Sequence, residues 1–233
     1  MDPVPVPDEV LPAIRSAIRA ALTDVADPSR APQMAAYMKD RFPFLGVGAP
    51  TRRAACRGAL ARARGLDEGA ALDLAAALWD EPEREFQYVA CDLVRASARR
   101  WSPGALAPIR ALVVSRSWWD TVDALARGVG DLVLAHPELA AEMDQWIGDD
   151  DIWVARVALL HQLGWRDRAD ADRLFRYCAR RAPDDEFFIR KAVGWALRDR
   201  ARTDPDGVRA FVAAHPGLSG LSRREALKHI GPD

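Results

Sequence analysis

A repeat constrains this chain more than any other feature of its sequence. Four segments share an acidic or aromatic start that runs into an apolar, helix-favouring stretch: REFQYVACDLV, SWWDTVDALA, DIWVARVALL and EFFIRKAVGWAL. Their anchors, Phe86, Trp119, Trp153 and Phe188, follow one another at intervals of 33, 34 and 35 residues. The same step outward lands on Arg52 in PTRRAACRGAL and on Ser222 in LSRREALKHI. A helix pair of this size cannot bury its apolar face alone, so a period of about 34 residues requires neighbours to stack. The expected fold is all-α, a superhelical solenoid of stacked antiparallel helix pairs. It spans residues 1–233 as a single domain, with one helix of each pair lining a concave face.

The local pattern agrees. Apolar residues recur at three- and four-residue steps, as in Ile14, Ile18 and Leu22, or Val89, Leu93 and Val94. No sustained two-residue alternation of β-branched residues competes, and Leu112–Val114 is too short to build a sheet. Prolines at positions 28, 50, 82, 103, 137, 183, 205 and 216 punctuate the chain into helices of about 10 to 18 residues. Lys and Arg total 33 against 34 Asp and Glu, a formal net charge of −1. That balance excludes a chain that binds polyanions through bulk charge, though not one with a local basic face. No run approaches the roughly 20 apolar residues of a membrane span, and Ala70–Trp79 is broken by Asp73. The first residues, MDPVPVPDEV, lack the charged and apolar regions of a secretory leader. Cys56, Cys91 and Cys178 are scattered, match no zinc spacing and read as reduced core thiols. A cytoplasmic monomer without metal or cofactor is the expectation. The run Asp149–Asp151 reads as a helix cap and not as a metal site.

The anchored helices carry an unusual load: Arg52, Arg53, Trp118, Trp119, Asp123, Trp153, Arg156, Arg190, Lys191, Trp195 and Arg198. Aromatic residues filling the space between stacked helices would account for most of the tryptophans. Their alternation with arginine on the same helices points towards a groove that holds a ligand. Trp119 and Asp123 are four residues apart, hence one turn apart on one helix face. Asp123 lies among Val122, Leu125 and Ala126, and an acid among apolar neighbours needs a reason. On composition alone the plain reading is a salt bridge or a hydrogen bond to a neighbouring repeat.

Seven segments in order resemble the DNA alkylation repair family of HEAT-like DNA glycosylases, the alkylpurine glycosylase D group. They are MAAYMKDRFPFLGVGAPTRR, EPEREFQYVACDL, SWWDTVD, GDLVLAHPEL, IWVARVALL, FFIRKAVGWALR and LSRREALKHI. The resemblance implies a concave DNA-binding face on stacked helical repeats, and hydrolysis of the N-glycosidic bond of N3- and N7-alkylated purines in duplex DNA. By position in the motifs it implies Asp123, Trp119 and Trp195 as the catalytic residues. It places Arg156, Tyr37 and Arg53 against DNA, and Trp118, Arg190 and Lys191 complete the expected DNA-binding set. The chain departs from its relatives after FLG. Where polar side chains can reach the duplex, it has Val47, Gly48 and Ala49.

The chemistry suits those residue types. An N3- or N7-alkylated purine is cationic and leaves readily, and its departure puts positive charge on the deoxyribose. A carboxylate and indole faces stabilise that charge, and arginines fix phosphates without reading sequence. No base-binding pocket motif is visible, and the family is thought to act with the lesion still in the helix. Two other readings fit the repeat: a non-catalytic module that binds damaged or unusual DNA, and a protein–protein scaffold.

Overall fold

The computed structural model of the protein describes residues 9–230. The N-terminal segment read above as lacking a leader falls almost wholly outside them. Among the described residues there are fourteen α-helices and no strand. They are α1 (Val10–Asp24), α2 (Ala31–Tyr37), α3 (Ala49–Ala55), α4 (Arg57–Ala63), α5 (Glu68–Trp79), α6 (Arg84–Ser97), α7 (Leu106–Val113), α8 (Trp119–Ala135), α9 (Ala140–Trp146), α10 (Ile152–Leu160), α11 (Ala171–Arg180), α12 (Phe187–Arg200), α13 (Pro205–Ala214) and α14 (Gly220–Ala226). None is long and apolar enough to cross a membrane.

The repeat read from the sequence is the repeat of the fold. Phe86, Trp119, Trp153 and Phe188 each lie within the first three residues of α6, α8, α10 and α12, and Arg52 and Ser222 lie in α3 and α14. Helix lengths differ from expectation at the short end. Five helices, α2, α3, α4, α9 and α14, have 7 residues, while α8 reaches 17. The prolines explain part of this, because several open a helix instead of ending one. Pro32, Pro50 and Pro205 occupy first-turn positions of α2, α3 and α13, where a missing N–H costs no bond.

The packing divides into two compact units, one ending at Leu112 and one beginning at Val113. In the first, α6 packs on α3 and α5, and α1 packs on α3, α4 and α5. Ile14, Ile18 and Leu22 of α1 are fully buried, as are Val89, Leu93 and Val94 of α6. The three cysteines are buried, and burial pushes the Cys56 thiol up to about 11.

In the second unit, α8, α10, α12 and α14 pack side by side in that order. Helices α9, α11 and α13 back them from a second layer. Two glycines permit the close approaches within the row. A Cβ on Gly130 of α8 would lie 2.0 Å from the carbonyl oxygen of His161, and one on Gly194 of α12 would lie 2.5 Å from Cβ of Glu225. Both are far inside van der Waals contact, so no larger residue fits without moving backbone.

Candidate functional site

The site is built on α8, α10 and α12. Helix α8 begins at Trp119 after an extended Trp118, and Asp120 in its first turn faces the positive end of the helix dipole. Asp151 caps α10 by accepting from the Trp153 backbone N–H at 2.8 Å, and Asp149 accepts from the Asp151 N–H at 2.9 Å. The acidic run therefore satisfies a helix start, as its sequence position implied. These caps fix where the anchored side chains enter the row.

The first residues of the three helices meet in an aromatic cluster. Trp118 lies 5.7 Å from Trp153 and 4.9 Å from Phe188, and Trp153 lies 5.0 Å from Phe188, measured between ring centroids. The tilted and edge-on angles are those aromatic pairs prefer. This cluster sets the spacing between helices, and Trp118 belongs to it.

One turn into α8, Asp123 meets Arg156 of α10. Nε of Arg156 donates to Oδ1 at 2.7 Å and Nη2 donates to Oδ2 at 2.9 Å, a two-pronged pair. Nη1 of Arg156 donates to the Phe188 carbonyl of α12. Arg156 is 1% exposed, whereas the Asp123 side chain is 22% exposed. The guanidinium is thus enclosed by protein, and the carboxylate retains an open edge. Burial raises the pKa of Asp123 above the ordinary aspartate value, and the bonds from Arg156 oppose that shift. The guanidinium carbon of Arg156 lies 5.4 Å from the Trp195 ring of α12. Asp123 and Trp195 therefore border the same buried cation, and Trp119 precedes Asp123 on the same face of α8.

A sequence model of the DNA alkylation repair enzyme family matches residues 18–230. The chain belongs to the DNA alkylation repair enzyme family. No curated protein sequence matches it significantly. Among solved structures it is similar to a predicted DNA alkylation repair enzyme from Enterococcus faecalis, with 32% identity over 89% of this chain and 98% of that one, and a TM-score of 0.85. Two further structures share the fold. The smu.31 protein of Streptococcus mutans is 17% identical over 94% of this chain and all of its own, with a TM-score of 0.64. AlkD2 of Streptococcus mutans is 20% identical over 74% of this chain and 89% of its own, with a TM-score of 0.61.

For this family member, the residues singled out from sequence divide by environment. Asp123, Trp119 and Trp195 are half-buried in the α8–α10–α12 row. Arg156, expected against DNA, is instead enclosed and engaged by Asp123 and the Phe188 carbonyl. Its Nε, Nη1 and Nη2 all donate to protein acceptors in this structure. Trp118 is a packing residue. Arg190 donates from Nε to the Asp184 carbonyl at 2.8 Å, and Nζ of Lys191 lies 2.6 Å from Oε1 of Glu225. Arg198 donates to the other Glu225 oxygen at 2.7 Å. The two cations hold the Glu225 carboxyl below the usual glutamate range.

In the first unit, Tyr37 is 69% exposed and borders a recess of about 250 Å³ with Met34, Met38, Phe44 and Tyr88. Arg53 is exposed and lines a cleft of about 380 Å³ with Arg57, Arg64, Arg95 and Asp92. Its neighbour Arg52 is buried, paired with Asp92 at 3.2 Å and lying 4.9 Å from the Tyr88 ring.

The sequence reading missed a buried polar set on α6. Glu85, fully buried, accepts from the backbone N–H groups of Leu45, Gly46 and Val47, each at 3.0 Å. It thereby holds the FLGVG turn, in which Gly46 takes a left-handed φ of 86°. Val47 is 1% exposed and belongs to the core. A signal did exist: Glu85 precedes the buried Val89 by four residues, which puts it on the buried face of α6.

Proposed function

We propose that this DNA alkylation repair protein is a glycosylase that hydrolyses the N-glycosidic bond of cationic N3- and N7-alkylated purines in duplex DNA. The observation that carries the reading is the clamped Asp123: an anion with an open edge, held by a buried guanidinium and bordered by indole rings. A carboxylate has about four lone-pair sites, and Arg156 takes one on each oxygen. The remaining lone pairs are available at the exposed edge.

In the reaction the glycosidic electron pair returns to the purine, whose positive charge is thereby discharged, and the base leaves neutral. No acid is needed for that departure. The sugar becomes oxocarbenium-like, and Asp123 stabilises it electrostatically. A water oxygen then bonds to the anomeric carbon, and its proton passes to Asp123 or to solvent. Trp119 and Trp195 offer π-faces to the cationic nucleotide, each worth roughly 0.5–2 kcal/mol. The pair with Arg156 favours the ionised form of Asp123 against the effect of burial and holds it aimed before substrate arrives, so little reorganisation is left to the transition state.

The partner in this reading is duplex DNA, the protein works as a cytoplasmic monomer, and no bound cofactor takes part. Selectivity comes from leaving-group quality and not from a base pocket. The test is release of 7-methylguanine from a duplex beside release of a neutral modified purine. Release of the cationic base with little of the neutral one is the expected result. Salt-dependent duplex binding with no base release would instead make the chain a non-catalytic DNA-binding module.

A further inference from the structure

Beside Trp195 the second unit contains a cleft of about 400 Å³ whose lining includes Arg127, Arg166, Arg198, Arg202 and Asp199. Four guanidiniums face one carboxylate, in a chain whose formal net charge is −1. They arrive from separate elements. Arg127 is on α8, one turn beyond Asp123. Arg166 sits in the turn after α10, and Arg198 and Arg202 lie at and just past the last turn of α12. The arginine run at 198, 200 and 202 is thus split by the fold. Arg200 is turned away to Asp204 at 3.1 Å, while its two neighbours line the cleft.

The four are not equivalent. Arg198 is paired with Glu225, and Arg202 lies 3.9 Å from Asp199. Arg127 and Arg166 are exposed and lie within no close salt bridge among the described residues, and Arg127 also acts on Asp123 electrostatically from one turn away. The turn that carries Arg166 is fixed. The Gly164 N–H donates to Asp199 at 2.7 Å, Trp165 packs edge-on against His161 at 5.4 Å, and Arg166 itself holds a left-handed φ of 57°. Few side chains other than glycine, asparagine and aspartate adopt that backbone. Two exposed guanidiniums therefore line one recess that is also walled by Trp195, a residue of the proposed excision site.

We infer that Arg127 and Arg166 form a clamp for a backbone phosphate of the duplex adjoining the nucleotide that is excised. This rests on the proposed duplex substrate and adds a specific subsite to it. Guanidinium forks match phosphate oxygens in geometry and charge. The clamp carries no sequence information and serves to hold the strand in register beside Asp123.

The test is duplex binding measured across a range of salt for the wild-type protein, the Arg127→Ala/Arg166→Ala double variant and the matching double lysine variant. Arg209→Ala on α13, where Arg209 pairs with Asp206, is the control. Each phosphate contact contributes about 0.9 to the slope of log affinity against log salt. With that one phosphate contact gone, the double alanine variant loses about 0.9 of slope, so its affinity deficit shrinks about three- to fourfold between roughly 50 and roughly 200 mM salt. The lysine variant retains the slope, and the control matches wild type. If wild type binds and releases base but the double alanine variant keeps the full slope, the clamp is refuted and the glycosylase reading stands. If wild type shows no salt-dependent duplex binding, the clamp and the duplex reading fail together.

Discussion

Replacing Arg156 by methionine separates two roles that the sequence left undivided. Methionine keeps an unbranched apolar stem in the buried site and removes every donor. Asp123 then loses two charge-assisted hydrogen bonds, at 2.7 and 2.9 Å. Such bonds contribute about 1.5–3 kcal/mol each, and the 22% exposure of Asp123 lets water replace part of that. A net loss of roughly 2–3 kcal/mol for the ionised form moves its pKa up, and at about 1.36 kcal/mol per pH unit it bounds the displacement of the acid limb at about 2 units. Burial already raises this pKa above the ordinary aspartate value, so the variant shifts further in the same direction. Excision requires the anion and is lost as pH falls through that pKa. The acid limb of the rate profile for 7-methylguanine release therefore moves to higher pH by about 1–2 units in the methionine variant and by less in Arg156→Lys. The salt dependence of duplex binding is expected to stay that of wild type, because the guanidinium is engaged by Asp123 and the Phe188 carbonyl. A slope reduced by about 0.9 with an unmoved acid limb would refute this reasoning and restore Arg156 as a phosphate contact.

Three further outcomes are expected. Gly194→Ala forces a Cβ to within 2.5 Å of Cβ of Glu225 and 3.0 Å of the Ser222 carbonyl oxygen, so α12 and α14 must separate. Overpacking of this kind costs about 1–3 kcal/mol and is read as a lower midpoint in urea unfolding. Glu225→Gln weakens the bonds from Lys191 and Arg198 and costs roughly 1–2 kcal/mol at neutral pH. The folded chain holds this carboxyl below its unfolded pKa, so the contribution is present above about pH 4.3. It is lost as pH falls through the folded value, where wild type and variant converge in stability. Trp118→Ala removes the ring between Trp153 and Phe188 and lowers stability by about 3 kcal/mol, measurable by thermal unfolding, while the salt dependence of duplex binding is unchanged.

The helical array was legible because stacking imposes a period. Phe86, Trp119, Trp153 and Phe188 mark helix starts that must recur at one spacing if each pair is to bury the next. The shared face of Trp119 and Asp123 follows from helix geometry alone. The plain expectation for Asp123, a salt bridge to a neighbouring repeat, holds as well: its partner Arg156 lies 33 residues away. The residue itself could not be read as that partner, because an arginine in IWVAR has the same signature whether it faces solvent or the interior. Only the depth of α10 between α8 and α12 shows that this arginine is enclosed and meets Asp123. The α6 set was hidden for a related reason. Glu85 is satisfied by backbone groups some 40 residues earlier, and such partners leave no mark in a local pattern. Lys191 likewise reads as a free cation until α14 brings Glu225 beside it.

The central claim is that the Asp123 carboxylate, and not the basic surface alone, drives base release. It is tested by single-turnover release of 7-methylguanine from methylated duplex by wild type and Asp123→Asn, with duplex affinity measured on both. The account predicts that the asparagine variant loses most of the release rate while binding duplex as wild type does. Release at the wild-type rate by a folded Asp123→Asn protein would contradict it.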